Sequence, residues 1–220
     1  MNLMKSSSGE PGIRGWTLDT FLQESASSAP TPGGGSAAAY SGALAASMVC
    51  MAARLTLGKD GYDEVQELVK EVEEEASERL QGLKEGVEQD IEVFNAYMKA
   101  LRLPKNTDAE KQQRTEKLRQ ASYEALLPPL SIAENALGVI KLACRLAPIG
   151  NKNVISDVGV AAALAEGALQ AALWSVEINL VSLPDRDYVA QVRGRCEGWR
   201  ATASRQGAEA AAVVSERISE

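Results

Sequence analysis

Asp90 lies three residues after Val87, four before Phe94, and seven from both Leu83 and Tyr97. That spacing puts a carboxylate on the apolar stripe of a helix. A carboxylate in such a place must be paired, hydrogen-bonded or protonated. It serves either as a structural contact to a neighbouring helix or as an acid or base, since perturbed carboxylates gather at functional sites. Pro32-Gly33-Gly34-Gly35-Ser36 stands just before a helix start. Free N–H groups there can hold an anion or a carbonyl oxygen. The alternative is a tight turn that needs positive φ. A third cluster is Asn151-Lys152-Asn153-Val154-Ile155-Ser156-Asp157. Asn153 or Ser156 can cap the helix that follows, and Asp157 in its first turn complements the helix dipole. Ser175 and Asn179 share a helical face with Asp157, but Asn179 is ~33 Å further along, so one subunit cannot gather all three in one small site. Lys59 and Lys105 stand at the two ends of a long helix, either solvated or meeting an anionic ligand. Residues 67–78 read as an exposed charged face with i,i+4 partners.

Composition removes whole classes of chemistry. The 220 residues contain no histidine. Ser-His-Asp and Cys-His nucleophiles are therefore excluded, as is ligation of zinc or haem by histidine. Acid–base work falls to carboxylates, Lys, Tyr or Cys. Cys50, Cys144 and Cys196 are odd in number and far apart, with no CxxC, so they read as reduced core thiols and no metal site is expected. The net charge of −7 and the lack of a basic block argue against nucleic acid as a partner.

The elements that must position these residues are all helical. Aromatics are only 5% against 45% hydrophobic residues, so the apolar mass is mostly Ala, Leu and Val, suited to closely packed helices. Residues 1–15 are polar and punctuated by Gly and Pro, and they read as a flexible tail without a signal peptide. Residues 16–220 read as a single domain. A short helix from Thr17 is followed by the loop SASSAPTPGGGS, then by a small-residue helix over 36–57. Its uncharged run, 37–53, is shorter than the ~20 strongly apolar residues a membrane span needs, so it reads as a buried soluble helix. A long helix over 62–103 would span ~60 Å, with Gly82 and Gly86 marking a possible bend. That is longer than the ~45 Å diameter of a compact chain of this size, so the molecule is elongated or the helix projects onto a partner. Thr107 to Glu110 forms a capping box. Because the apolar register runs on through Pro128-Pro129, the next helix reads as one kinked element, with two helices as the alternative. Further helices cover 153–181 and the stretch after Asp185. The expectation is an all-α, elongated, dimeric bundle of about six long, partly kinked helices.

Five segments, PTPGGGSAAAYSGALAASMV, LTLGKDGY, QDIEVFNAYMKALRLPK, GNKNVISDVGVAAALAEGAL and VEINLVSL, occur in this order. Together they resemble the cyclodeaminase/cyclohydrolase family of folate enzymes, from Thr17 into the last helix. Ser175 departs from that pattern, in which Asn is expected before the VxINL segment. The resemblance implies an all-α homodimer, cytoplasmic and off the membrane, with the site in a cleft near the subunit interface. It implies tetrahydrofolate derivatives as substrates, polyglutamylated, and no cofactor beyond them. One reaction of such enzymes closes 5-formiminotetrahydrofolate to 5,10-methenyltetrahydrofolate with loss of ammonia. The other interconverts the methenyl and 10-formyl forms. No formiminotransferase domain stands on this chain, which tilts the expectation toward the second.

Both reactions pass through a tetrahedral carbon between N5 and N10, so one group must take a proton and one must give it. The methenyl bridge is an amidinium-like cation that a carboxylate can stabilise. Asp90 and Asp157 are the candidates for these roles, and either could instead grip the pterin edge. Gly33, Gly34, Gly35, Ser36, Asn95, Asn153 and Ser156 are the remaining candidate substrate contacts. Lys59, Lys105 or Lys152 could meet the anionic glutamate tail. A non-catalytic helical scaffold or a folate-binding protein would explain the periodicity equally well. A scaffold would not explain a carboxylate on an apolar stripe together with the Gly triplet and the NKNVISD loop in one chain.

Overall fold

The structure, a computed structural model, describes residues 13–219. Residues 1–12 of the expected tail lie outside the described residues, while Ile13–Gly15 form a 3-10 turn and Ile13 is buried in the core. Seven α-helices follow among the described residues, with no strand: α1 (Leu18–Ser25), α2 (Gly34–Arg54), α3 (Gln66–Leu101), α4 (Asp108–Glu124), α5 (Leu127–Leu146), α6 (Ile155–Leu180) and α7 (Arg186–Ser219). The all-α expectation holds.

Local chemistry sets the helix starts. Thr17 accepts from the Thr20 N–H and caps α1. Thr107 and Glu110 form both bonds of the anticipated capping box at α4. The Asp185 carboxylate accepts from the Tyr188 N–H at the start of α7. Gly58 (φ +66) and Gly61 (φ +82) turn the chain between α2 and α3, a backbone that favours glycine. At 36 residues α3 is ~54 Å long, so the molecule is elongated. It runs through Gly82 and Gly86 without interruption. Gly86 serves packing instead, since a Cβ there would lie 2.9 Å from Ile132 Cγ1 on α5.

The helix over 108–146 is not one kinked element. It is two helices, α4 and α5, parted at Ala125 and Leu126. Pro128 and Pro129 have no N–H to donate to Glu124 and Ala125, and their rings crowd those carbonyls. The apolar register continues across the gap because Ala125 and Leu126 keep right-handed helical angles.

At the centre lies α2, packed against α6, α3 and α5, while α6 also packs on α5 and α7. Twelve of the 21 residues of α2 are buried, most of them Ala, Gly or Ser. Such small side chains let backbones approach: a Cβ on Gly42 would lie 2.8 Å from Leu83 Cδ2. The shortness expected of this apolar stretch does not hold. Gly34–Arg54, Asp108–Leu146 and Lys152–Leu180 are all long and apolar enough, by length and composition, to cross a bilayer. Burial inside the bundle accounts for much of the apolarity of α2, but α6 keeps an outward apolar face with Trp174 and Ile178 each 70% exposed.

Candidate active site

The N-terminus of α2 meets the middle of α3. Ser36, fully buried, donates its hydroxyl to Asp90 Oδ2 at 3.0 Å, and its main-chain N–H also bonds the carboxylate. The same hydroxyl lies 3.4 Å from the Val87 carbonyl. Asp90 therefore sits directly over the first turn of α2. A Cβ on Gly35 would lie 2.1 Å from Asp90 Oδ1, so only glycine leaves the carboxylate its place. Gly33 has extended angles and Gly34 and Gly35 are helical, so the triplet answers a steric demand and not one for positive φ. Gly33 offers no side-chain cap. The first N–H groups of α2 are thus left for Asp90 and for whatever lies beyond it.

What lies beyond is a cavity of about 420 Å³, within the usual range for a small-molecule site. The loop from Pro30 to Gly35 forms one wall, and Asp90, Val93, Phe94 and Tyr97 come from one face of α3. The far wall is Ser122 and Ala125 from the end of α4, with Ser175, Ile178, Asn179 and Ser182 from α6 and its exit. Burial pushes the Asp90 carboxyl above its ordinary range, and the two Ser36 contacts only partly offset this. No lysine or arginine among the described residues contributes to that balance. Among the described residues, Asp90 is the one carboxylate on the walls, and no cation lines them.

The arrangement suits proton transfer beside a developing positive charge. Ser36 can donate to ionised Asp90. When Asp90 is protonated, Ser36 can accept from it and turn its own hydroxyl toward Val87 O. The carboxyl is thus held in place in both states.

Sequence comparison decides the family. The formiminotransferase-cyclodeaminase family model matches residues 17–198.

The chain belongs to the formiminotransferase-cyclodeaminase family.

It is 43% identical over 187 residues to a methenyltetrahydrofolate cyclohydrolase of Methylorubrum extorquens, covering 85% of this chain and 90% of that protein. It is 32% identical over 204 residues to the formimidoyltransferase-cyclodeaminase of Sus scrofa. That match covers 91% of this chain but 36% of the relative, so the chain spans about a third of the animal protein's length. A formiminotetrahydrofolate cyclodeaminase structure from Thermotoga maritima superposes with a TM-score of 0.77 at 26% identity, covering 94% of this chain and 98% of that one.

For this member of the family, the fold gathers Gly33, Gly34, Gly35, Ser36 and Asp90 at one place. It does not bring the other candidates there. Asn95 is half-buried on α3 but off the cavity wall. Lys105 is exposed in the turn after α3. Asn151 bonds Thr56 Oγ1 and the Leu55 carbonyl, and the Lys152 N–H bonds the Tyr62 hydroxyl. The segment with Lys152, Asn153, Ser156 and Asp157 therefore sits with Lys59 at the C-terminal end of α2. Along α2 that is ~30 Å from Asp90. In one chain Asp157 remains in the first turn of α6, as the dipole reading has it. The sequence does not single out Ser122 and Ser182, and it marks Ser175 and Asn179 only as sharing a helical face with Asp157; the cavity takes them without it. The i, i+4, i+7 spacing of Ser175, Asn179 and Ser182, on the last turns of α6 and its exit, was the available signal.

Proposed function

We propose that this protein is a methenyltetrahydrofolate cyclohydrolase. The observation that carries the reading is Asp90: a carboxylate with no cationic partner among the described residues, fixed by Ser36 over Gly35, facing a cavity walled by Phe94, Tyr97 and Ile178. The substrate's methenyl bridge is cationic and its ring system flat, so charge and shape complement that cavity. Water attacks the bridge carbon while Asp90 takes one of its protons, leaving a neutral tetrahedral carbon between N5 and N10. Asp90 then returns a proton to N5, the carbon–N5 bond breaks, and the remaining hydroxyl proton leaves to solvent as the formyl C=O forms on N10. One proton is released per turnover. The N–H groups at the start of α2 can stabilise the oxygen as it gains charge.

Cyclodeamination of 5-formiminotetrahydrofolate is the second reading, favoured by the likeness to the Thermotoga maritima structure. There N10 takes the place of water as nucleophile and ammonia leaves. The reaction needs no metal and no cofactor beyond the folate. No group of three or more Cys, Asp or Glu side chains among the described residues is placed to hold a metal ion. Burial also pushes the three cysteine thiols up, which keeps them protonated and poor ligands.

A homodimer is part of the proposal. Val160, Trp174 and Ile178 on α6, with Val181 at its C-cap, are exposed apolar residues on one helical face, and exposed apolar patches mark interaction sites. Gly167, with open space where a Cβ would stand, lies midway along the helix. A two-fold axis there would pair this face with itself. It would also carry the partner's Lys152, Ser156 and Asp157 end toward the mouth of the cavity beside Ile178. Cations from that end would suit polyglutamylated substrates, whose charges find no cation on the cavity walls. A cytoplasmic location accords with this soluble chemistry. Supplying 5,10-methenyltetrahydrofolate and 5-formiminotetrahydrofolate separately to purified protein tests the reading. The methenyl chromophore and an ammonia assay separate the two reactions, and failure to convert either substrate refutes both.

A further inference from the structure

One polar group of the cavity has no part in the proton transfers above. Because Pro129 lacks an N–H, the carbonyl of Ala125, four residues earlier, loses the donor a continuous helix would give it. Asn179 Nδ2 takes that place, donating to Ala125 O at 2.8 Å across from α6. A carbonyl only accepts, so this contact establishes which atom of the amide is nitrogen and which is oxygen. The nitrogen is committed to the scaffold. The oxygen, Oδ1, has no partner among the described residues and is not a buried unpaired atom. Asn179 and Ala125 both line the cavity, so Oδ1 is left open to it in a fixed orientation. The hydroxyls of Ser122 and Ser175 on the same wall can act as donor or acceptor. The Asn179 oxygen can only accept.

We propose that Asn179 is a specificity-determining residue of this cavity. Its Oδ1, aimed by the Ala125 carbonyl that Pro129 frees, accepts a hydrogen bond from an N–H on the ligand's ring system. The inference rests on the folate reading, because a reduced pterin carries such donors on its pyrimidine edge and at N8. A site built around an acceptor rejects an analogue that lacks the donor, since its own oxygen is then left unpaired. The break between α4 and α5 is thus part of the binding site: it creates the free carbonyl that sets the amide.

Calorimetry of tetrahydrofolate binding, with KM and the pH profile for the methenyl substrate, tests this on the full chain. For Asn179→Leu, the dissociation constant and KM should rise roughly 10-fold, the scale of leaving one buried donor unpaired. The acidic limb of the pH profile, which belongs to Asp90, should stay where it is. Pro129→Ala restores a competing N–H for the Ala125 carbonyl, so it should raise KM several-fold without lowering the melting temperature. Unchanged binding in Asn179→Leu, with only a lower melting temperature, would make Asn179 a clasp between helices and overturn the proposal. Should Asn179→Leu fail to fold, Asn179→Ala and Pro129→Ala give the same reading. If wild-type protein neither binds nor converts folate, the functional reading falls and this inference with it. Wild-type activity with unaltered variant binding sinks this inference alone.

Discussion

The Asp90 carboxyl carries most of the chemistry proposed here, and its surroundings make that testable by pH. Burial raises its pKa and no cation among the described residues offsets the shift. Hydrolysis requires the ionised form to accept a proton from water. Activity should therefore fall as pH drops through this raised value, with an acidic midpoint above the ~4 of an ordinary carboxyl. Stability moves in the opposite sense. The folded state holds the Asp90 proton more tightly than the unfolded chain does, so this group favours folding below the unfolded pKa. That contribution is lost as pH rises through the folded pKa. Denaturant titrations across this window should show a pH-dependent difference between wild type and Asp90→Asn, with the wild type losing ground as pH rises. Gly35 offers a second test at the same scale. Alanine there would place a Cβ 2.1 Å from Asp90 Oδ1 and displace the carboxylate from Ser36. Turnover of Gly35→Ala should fall on the order of 10²-fold, the cost of misplacing a reacting group by about 1 Å.

At the scale of helices, small residues at crossings set how the elements meet. Gly42 is the counterpart of Gly35 in the core: a Cβ there would lie 2.8 Å from Cδ2 of fully buried Leu83. Overpacking of this kind costs roughly 1–3 kcal/mol, partly offset by about 1 kcal/mol of helix propensity gained over glycine. Gly42→Ala should thus lower the melting temperature by a few degrees while each folded molecule keeps its turnover, the reverse of Gly35→Ala. Thermal melts and rates on both variants check the contrast. Much of this level was legible in the sequence. The capping box at Thr107, the stripe carrying Asp90 and the Asp185 cap are local patterns spanning a few residues. The division at Pro128-Pro129 was harder to read, because the apolar register crosses it unchanged. The far wall of the cavity was harder still. Ser122, Ser175 and Asn179 come together only in the folded bundle, where the ends of α4 and α6 meet through the Asn179–Ala125 bond, and their purpose depends on a carbonyl freed by a proline. Lys59 and Asp157 show the converse: plausible chemistry at sequence level, placed by the fold about the length of α2 away from Asp90.

The whole molecule presents an apolar α6 face that a lone chain does not cover. If a second copy covers it, sedimentation should give a dimer at micromolar concentration. Trp174→Glu should weaken that dimer by roughly 30-fold or more, as expected for a buried aromatic anchor. A stable monomer would remove the proposed route by which the Asp157 end reaches the cavity. Metal independence also belongs to this scale: turnover should be unchanged after dialysis against a chelator, and chelator-sensitive activity would contradict the proposed chemistry.

The most direct test is a single comparison of wild type with Asp90→Asn, supplied with 5,10-methenyltetrahydrofolate and followed by loss of the methenyl chromophore. Asparagine keeps the size of the side chain and can still bond Ser36, but it lacks the charge and the basicity. The expected result is rapid hydrolysis by wild type and turnover slower by roughly 10²-fold or more in the variant, with a melting temperature little changed at neutral pH. Near-normal turnover in a folded Asp90→Asn protein would contradict the account.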